Sequence, residues 1–124
     1  MNSGQIIDTS EKAAYETSVE RAFRFIYAHF QDDCSLAEIA GYANQKASAL
    51  CLSFKKASGY TITGFINRLR IEKACELLRN TDLGITEKSY QSGFNTFSYF
   101  STQFKAITGL TPSQYRNNII PKVL

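Results

Sequence analysis

The chain has 124 residues, 44% of them hydrophobic and 20% charged, which suffices for one compact domain with a real core and falls short of most catalytic architectures. No run approaches the roughly 18 consecutive apolar residues of a membrane span, and the polar start Met1-Asn2-Ser3-Gly4 lacks the basic and apolar regions of a secretion signal, so a cytoplasmic protein is expected. The net charge of +3 is unevenly spread: up to Asp33 three Lys/Arg meet six Asp/Glu, whereas from Cys34 onward eleven meet five, which puts the basic surplus on the later part and turns the acidic opening away from any polyanion.

Residues before about Tyr15 are polar and without sustained periodicity, as in a linker or frayed end. Thr17 and Glu20 form a capping-box pattern ahead of Val19, Ala22, Phe23, Ile26 and Phe30, which predicts an amphipathic helix from about Ser18 to Phe30. Ser35 and Glu38 open a second helix over Leu36, Ile39 and Ala40, and Gly41 to Asn44 supply its break. A third helix runs from about Lys46 to Ala57 with the stripe Ala47, Leu50, Phe54 and Ala57, and Gly59 stops it. A long central helix from about Ile62 to Arg79 carries Phe65, Ile66, Leu69, Ala74, Leu77 and Leu78. A short helix and a longer one follow, the latter with the stripe Phe97, Phe100, Phe104 and Ile107 ended by Gly109. Thr111-Pro112 starts a final helix through Tyr115 to about Asn118. Strand signals are poor, so the expected fold is all-α, with seven helices and no sheet. Cys34, Cys51 and Cys75 stand at wide spacings with only His29 as a nitrogen ligand, so free thiols in the core are expected, with no metal and no cofactor.

The chain repeats itself. At an offset of 50, Phe54-Lys55 meets Phe104-Lys105, Ser58-Gly59 meets Thr108-Gly109, Thr61 meets Thr111, Phe65 meets Tyr115 and Leu50 meets Phe100. Upstream the offset is 49, so that Leu36 meets Ile85, Glu38 meets Glu87, Ala40 meets Ser89 and Asn44 meets Gly93. Two copies are too few for a solenoid; they describe a pseudo-duplicated domain in which each copy is a short helix, a turn and a longer helix.

A helix-turn-helix lets its second helix lie in the DNA major groove while the first braces it across the backbone. Taking Phe54 as the centre of the buried stripe, the opposite side of the first such helix presents Gln45, Ser48, Ala49, Leu52 and Lys56, flanked by Lys55. Around Phe104 the equivalent side presents Asn95, Ser98, Tyr99, Thr102 and Ala106, flanked by Lys105. These mostly small or polar side chains suit close approach to base edges. Lys46, Lys55, Lys56, Arg68, Arg70 and Lys105 are candidates for phosphate contact; the competing reading of each is a solvated surface charge, and for Arg70 a buried ion pair within the central helix. With a rigid central helix, one chain would present both recognition helices to successive major grooves about 34 Å apart.

The residues from about Val19 to Arg116 resemble the DNA-binding domain of AraC/XylS-type bacterial transcription regulators. The resemblance is carried by Ser92-Gly93-Phe94-Asn95-Thr96-Phe97-Ser98-Tyr99-Phe100, Gln103-Phe104-Lys105 and Thr108-Gly109-Leu110-Thr111-Pro112-Ser113-Gln114-Tyr115-Arg116. In the first half it rests on Leu36-Ala37-Glu38-Ile39-Ala40, Phe54-Lys55-Lys56, Gly59, and Arg68-Leu69-Arg70-Ile71 with Ala74, Leu77 and Leu78. It implies two helix-turn-helix subdomains of homeodomain-like type joined by the central helix, contacting double-stranded DNA through the third and sixth helices. The corresponding organisation is a linker or disordered segment over 1–16, the DNA-binding domain over 17–118 and a tail over 119–124. Within the domain the first helix-turn-helix lies at about 35–58, the linker helix at 62–79 and the second helix-turn-helix at 84–108. The resemblance further implies RNA polymerase as a candidate partner, and either an effector-binding or dimerising domain beyond this chain or a stand-alone short regulator of the same family. Where the family usually carries DNA-reaching arginines this chain has Leu52 and Thr102; where it is apolar, Lys88; where it has alanine, Ser89. Two readings of Lys88 stand open: its stem covers apolar surface while its ammonium reaches solvent, or the second unit is loosened. Leu52 is assigned to a thymine methyl, and Asn95, Ser98 and Thr102 to base edges; the competing reading is that neither face reads much sequence and that specificity comes from DNA shape or a second subunit.

Two other functions compete. An enzyme lacks support: there is one histidine, no nucleophile beside a base, no glycine-rich phosphate loop and no metal-ligand spacing. A protein-interaction module that keeps the fold with weak or lost DNA binding gains some support from the two missing arginines. It would show no salt-dependent affinity for duplex.

Overall fold

The computed structural model describes residues 17–81 and 84–123, with side chains as far as Asn118; the linker expected over 1–16 lies outside the described residues, as do the side chains of the tail expected over 119–124. Among the described residues there are seven helices and no strand: α1 Ser18–His29, α2 Leu36–Ala43, α3 Ala47–Ser58, α4 Ile62–Asn80, α5 Ile85–Gln91, α6 Phe97–Thr108 and α7 Pro112–Val123. None is long and apolar enough to cross a membrane.

Local signals place the helix ends. The Thr17 hydroxyl accepts from the Glu20 N–H at 3.1 Å while the Glu20 carboxylate accepts from the Thr17 N–H at 3.2 Å. Ser35 and Glu38 repeat the pair at 3.1 and 3.3 Å. Each box satisfies N–H groups that a first turn leaves open. The break after α2 falls later than Gly41, which stays helical; α2 runs to Ala43, and Asn44 takes the left-handed conformation at φ 55°. Its repeat partner Gly93 also has positive φ, at 111°. The last helix continues past Asn118 to Val123.

The exits of α3 and α6 reproduce the repeat in their hydrogen bonds. The Ser58 hydroxyl donates to the Phe54 carbonyl at 2.7 Å and accepts from the Tyr60 N–H at 3.1 Å. Thr108 does the same with Phe104 at 2.8 Å and Leu110 at 3.1 Å. Gly59 and Gly109 follow at φ 81° and 82°, and Thr61 and Thr111 cap the next helices.

Two cores share α4. The first gathers Ala22, Ile26, Ile39, Ala43, Leu50, Phe54, Ile62 and Ile66, with the rings of Phe23 and Phe65 at 4.7 and 5.7 Å from Phe54. The second gathers Ile71, Ala74, Leu78, Phe94, Phe100 and Phe104. The long helix therefore gives its N-terminal half to one unit and its C-terminal half to the other. The three thiols are free and pack at the edges of these cores, and burial pushes Cys34 and Cys75 above the ordinary thiol range.

Lys88 departs from its expected place. It is fully buried, and its ammonium donates to the Thr81 carbonyl at 3.1 Å instead of reaching solvent. Thr81 closes α4, and helix C-termini hold carbonyls without intrahelical donors and carry negative partial charge, so a cation is favoured there. Ser89 and Ser92 are buried beside it and donate to the carbonyls of Thr86 at 2.6 Å and Ser89 at 2.9 Å. The second unit thus exchanges apolar packing for a hydrogen-bonded polar cluster.

Candidate nucleic-acid interface

Burial of Leu50 and Phe54 on α3, and of Phe100 and Phe104 on α6, sets which way each helix faces. The opposite faces are open. On α3 Ser48, Leu52, Lys55 and Lys56 are exposed and Ala49 is half-buried; on α6 and the turn before it Asn95, Ser98, Tyr99, Thr102, Lys105 and Ala106 are exposed. Leu52 is 75% exposed, the most of any large apolar side chain among the described residues. Gln45 is placed differently: it is half-buried in the crevice between α1 and α3, beside Val19 and Phe23. Its Oε1 is buried with no hydrogen-bond partner among the described residues.

The hydroxyls of the α6 face have definite roles. Thr102 donates to the Ser98 carbonyl at 3.1 Å, which spends its proton and leaves the oxygen to accept. Tyr99 accepts from the Asn67 amide at 2.8 Å, which leaves its phenolic proton to donate outward. Asn67 is 4% exposed on α4, so Tyr99 ties the recognition face to the central helix. Sequence reasoning missed Asn67; the signal is a polar residue at a buried position of α4, next to Ile66.

Five of the six cations expected at phosphates are exposed: Lys46, Lys55, Lys56, Arg68 and Lys105. Lys55, Lys56 and Lys105 occupy last turns, where they also oppose the helix dipole, and Arg68 lies 5.6 Å over the Tyr60 ring. Arg70 is turned inward. Its Nε donates to the Phe30 carbonyl at 2.6 Å and its Nη2 to the Asp32 carbonyl at 3.1 Å, and the guanidinium stands 5.9 Å from the Phe94 ring centre. Burial lowers its proton affinity, opposed by Cys34, Asp33 and Tyr99. It thus makes neither the expected ion pair within α4 nor a surface free for phosphate. Gly93 packs on the same spot: a Cβ there would stand 2.6 Å from the Phe30 carbonyl oxygen and 2.8 Å from Arg70 Nε.

Comparison with known proteins gives consistent matches. A family model described as a helix-turn-helix domain matches residues 36–118. An uncharacterized HTH-type transcriptional regulator of Staphylococcus aureus is 36% identical over 103 residues, covering 83% of this chain and 14% of that protein. The chain therefore spans about a seventh of the length of that relative. Among solved structures, the C-terminal domain of AraT, a response regulator from Geobacillus stearothermophilus, superposes with a TM-score of 0.78 at 36% identity, covering 83% of this chain and 86% of that one. The DNA-binding domain of AdpA, a global transcriptional factor solved in complex with a target DNA, shares the fold at a TM-score of 0.80 and 17% identity, covering 86% and 96% of the two chains.

Proposed function

Because the chain belongs to the AraC-type helix-turn-helix family of bacterial transcription regulators, we propose that it reads double-stranded DNA with α3 and α6 lying in successive major grooves on one face of the duplex. The observation that carries this reading is the paired construction of the two helices. Each buries two large side chains completely on one face and turns small, polar or singly apolar side chains outward on the other.

The two faces read differently. On α3, Leu52 offers only apolar contact and suits a thymine methyl, with Ser48 and Ala49 allowing close approach. On α6, Thr102 accepts, which suits the amino groups of adenine or cytosine, and Tyr99 donates, which suits a base or phosphate acceptor. Asn95 and Ser98 complete the base-facing set. Lys46, Lys55, Lys56, Arg68 and Lys105 supply phosphate contacts and make the affinity salt dependent.

Selection of binding sites from random duplex, run on the native chain and on Leu52→Arg, tests the assignment. The variant is expected to move one position of the half-site under α3 from thymine toward guanine, with discrimination of about 1–3 kcal/mol, and to leave the α6 half-site unchanged. Identical preferences at every position would remove Leu52 from the readout.

A further inference from the structure

Two separate cores on one long helix do not by themselves fix the angle between two recognition helices; α4 is a single rod, and rotation of one unit about it changes where its groove-facing side points. We propose that Arg70 is the positioning residue that locks this angle, acting with Gly93 as a clamp between the two subdomains, and this rests on the two-groove reading above.

The geometry is that of a bracket. Arg70 leaves α4 near its middle, after Leu69 has packed on the first core and before Ile71 enters the second. Its guanidinium takes two carbonyls of the first unit, those of Phe30 and Asp32, where the chain leaves α1. Carbonyls at a helix exit lack intrahelical donors, so one fork of N–H groups satisfies what the helix leaves open. The same guanidinium lies against the Phe94 ring of the second unit. The turn of that unit comes so close that only glycine fits at 93, and Gln31 of the first unit adds a further bond, its side-chain amide donating to the Gln91 carbonyl at 3.2 Å. Asn67 to Tyr99 is a second tie, one turn earlier on α4. An inward arginine that spans two carbonyls and a facing ring makes a connection that one ammonium cannot reproduce.

A locked angle makes the two helices act as a rigid bivalent reader. Binding of one then presents the other at high effective concentration, but only to a half-site at the matching separation. The clamp is therefore a determinant of spacing as well as of affinity.

Two measurements on the native chain, Arg70→Gln and Arg70→Lys test it, with circular dichroism as a check on helix content. In the DNA-free proteins, NMR residual dipolar couplings from α1–α3 and from α5–α7 are expected to fit one alignment tensor for the native chain and two different tensors for Arg70→Gln, with Arg70→Lys between them. One shared tensor in both variants would overturn the clamp. On duplexes carrying both selected half-sites, inserting two base pairs between them should weaken native binding by about tenfold or more and Arg70→Gln binding by less than about twofold. Full spacing discrimination in Arg70→Gln would likewise overturn the clamp. If the native chain ignores spacing while the tensors separate as expected, the clamp stands and the two-groove reading falls.

Discussion

Gly93→Ala is expected to destabilise the domain by about 3 kcal/mol or more and to lower its melting temperature by more than about 10 °C. Two effects add. An L-residue held at φ 111° carries backbone strain of about 1–3 kcal/mol. Its new methyl would also stand 2.6 Å from a backbone oxygen and 2.8 Å from Arg70 Nε, so either the turn or the clamp has to move. Gly59→Ala and Gly109→Ala isolate the first effect. Their φ values are 81° and 82° and nothing lies within 4 Å of the added carbon, so each should cost only about 1–2 kcal/mol. Thermal denaturation of the three variants, followed at the helical band, reads the comparison; a loss in Gly93→Ala no larger than in the other two would mean that the subdomains do not press on this turn.

Phe104→Ala should cost about 3–5 kcal/mol, and the damage should be confined to the second half. Phe104 is fully buried, with Phe100 at 5.5 Å and Tyr115 at 5.6 Å, so its removal takes the centre from a cluster that otherwise holds Ile71, Ala74, Leu78, Phe94 and Phe100. The first core, built on Phe23, Phe54 and Phe65, is a separate cluster, joined to the second along α4 and through the contacts of Arg70, Gly93 and Gln31. Amide hydrogen exchange is expected to show lost protection in α5–α7 with α1–α3 retained, and the variant should hold only the half-site under α3. Uniform loss of protection along the chain would show that the two cores unfold as one.

The outline of the fold was legible because its signals are local. Capping boxes, apolar stripes at helical spacing and terminal glycines lie within a few residues of what they govern, so most helix boundaries fall within a residue or two of expectation. The repeat added what no single stretch contains: it paired Asn44 with Gly93, and the structure gives both a positive φ. Stripe ends were less reliable. Ala57 is exposed and Phe97 is 37% exposed, because the first and last turns of a helix extend beyond the neighbours that cover its middle. Arg70 and Lys88 were illegible for one shared reason. Each is a cation whose partners are backbone carbonyls, the Arg70 pair 40 and 38 residues away in sequence, and a carbonyl leaves no mark in the residue code. Gln45 lies in the crevice between α1 and α3, a neighbourhood that the periodicity of α3 alone does not contain.

Reading by α3 and α6 requires both recognition faces to meet one side of the duplex, and hydroxyl-radical footprinting of the complex on a selected site tests this most directly. Two protected patches on one face, with centres about one helical turn or 10–10.5 base pairs apart, are predicted. A single patch, or two patches on opposite faces of the duplex, would contradict it.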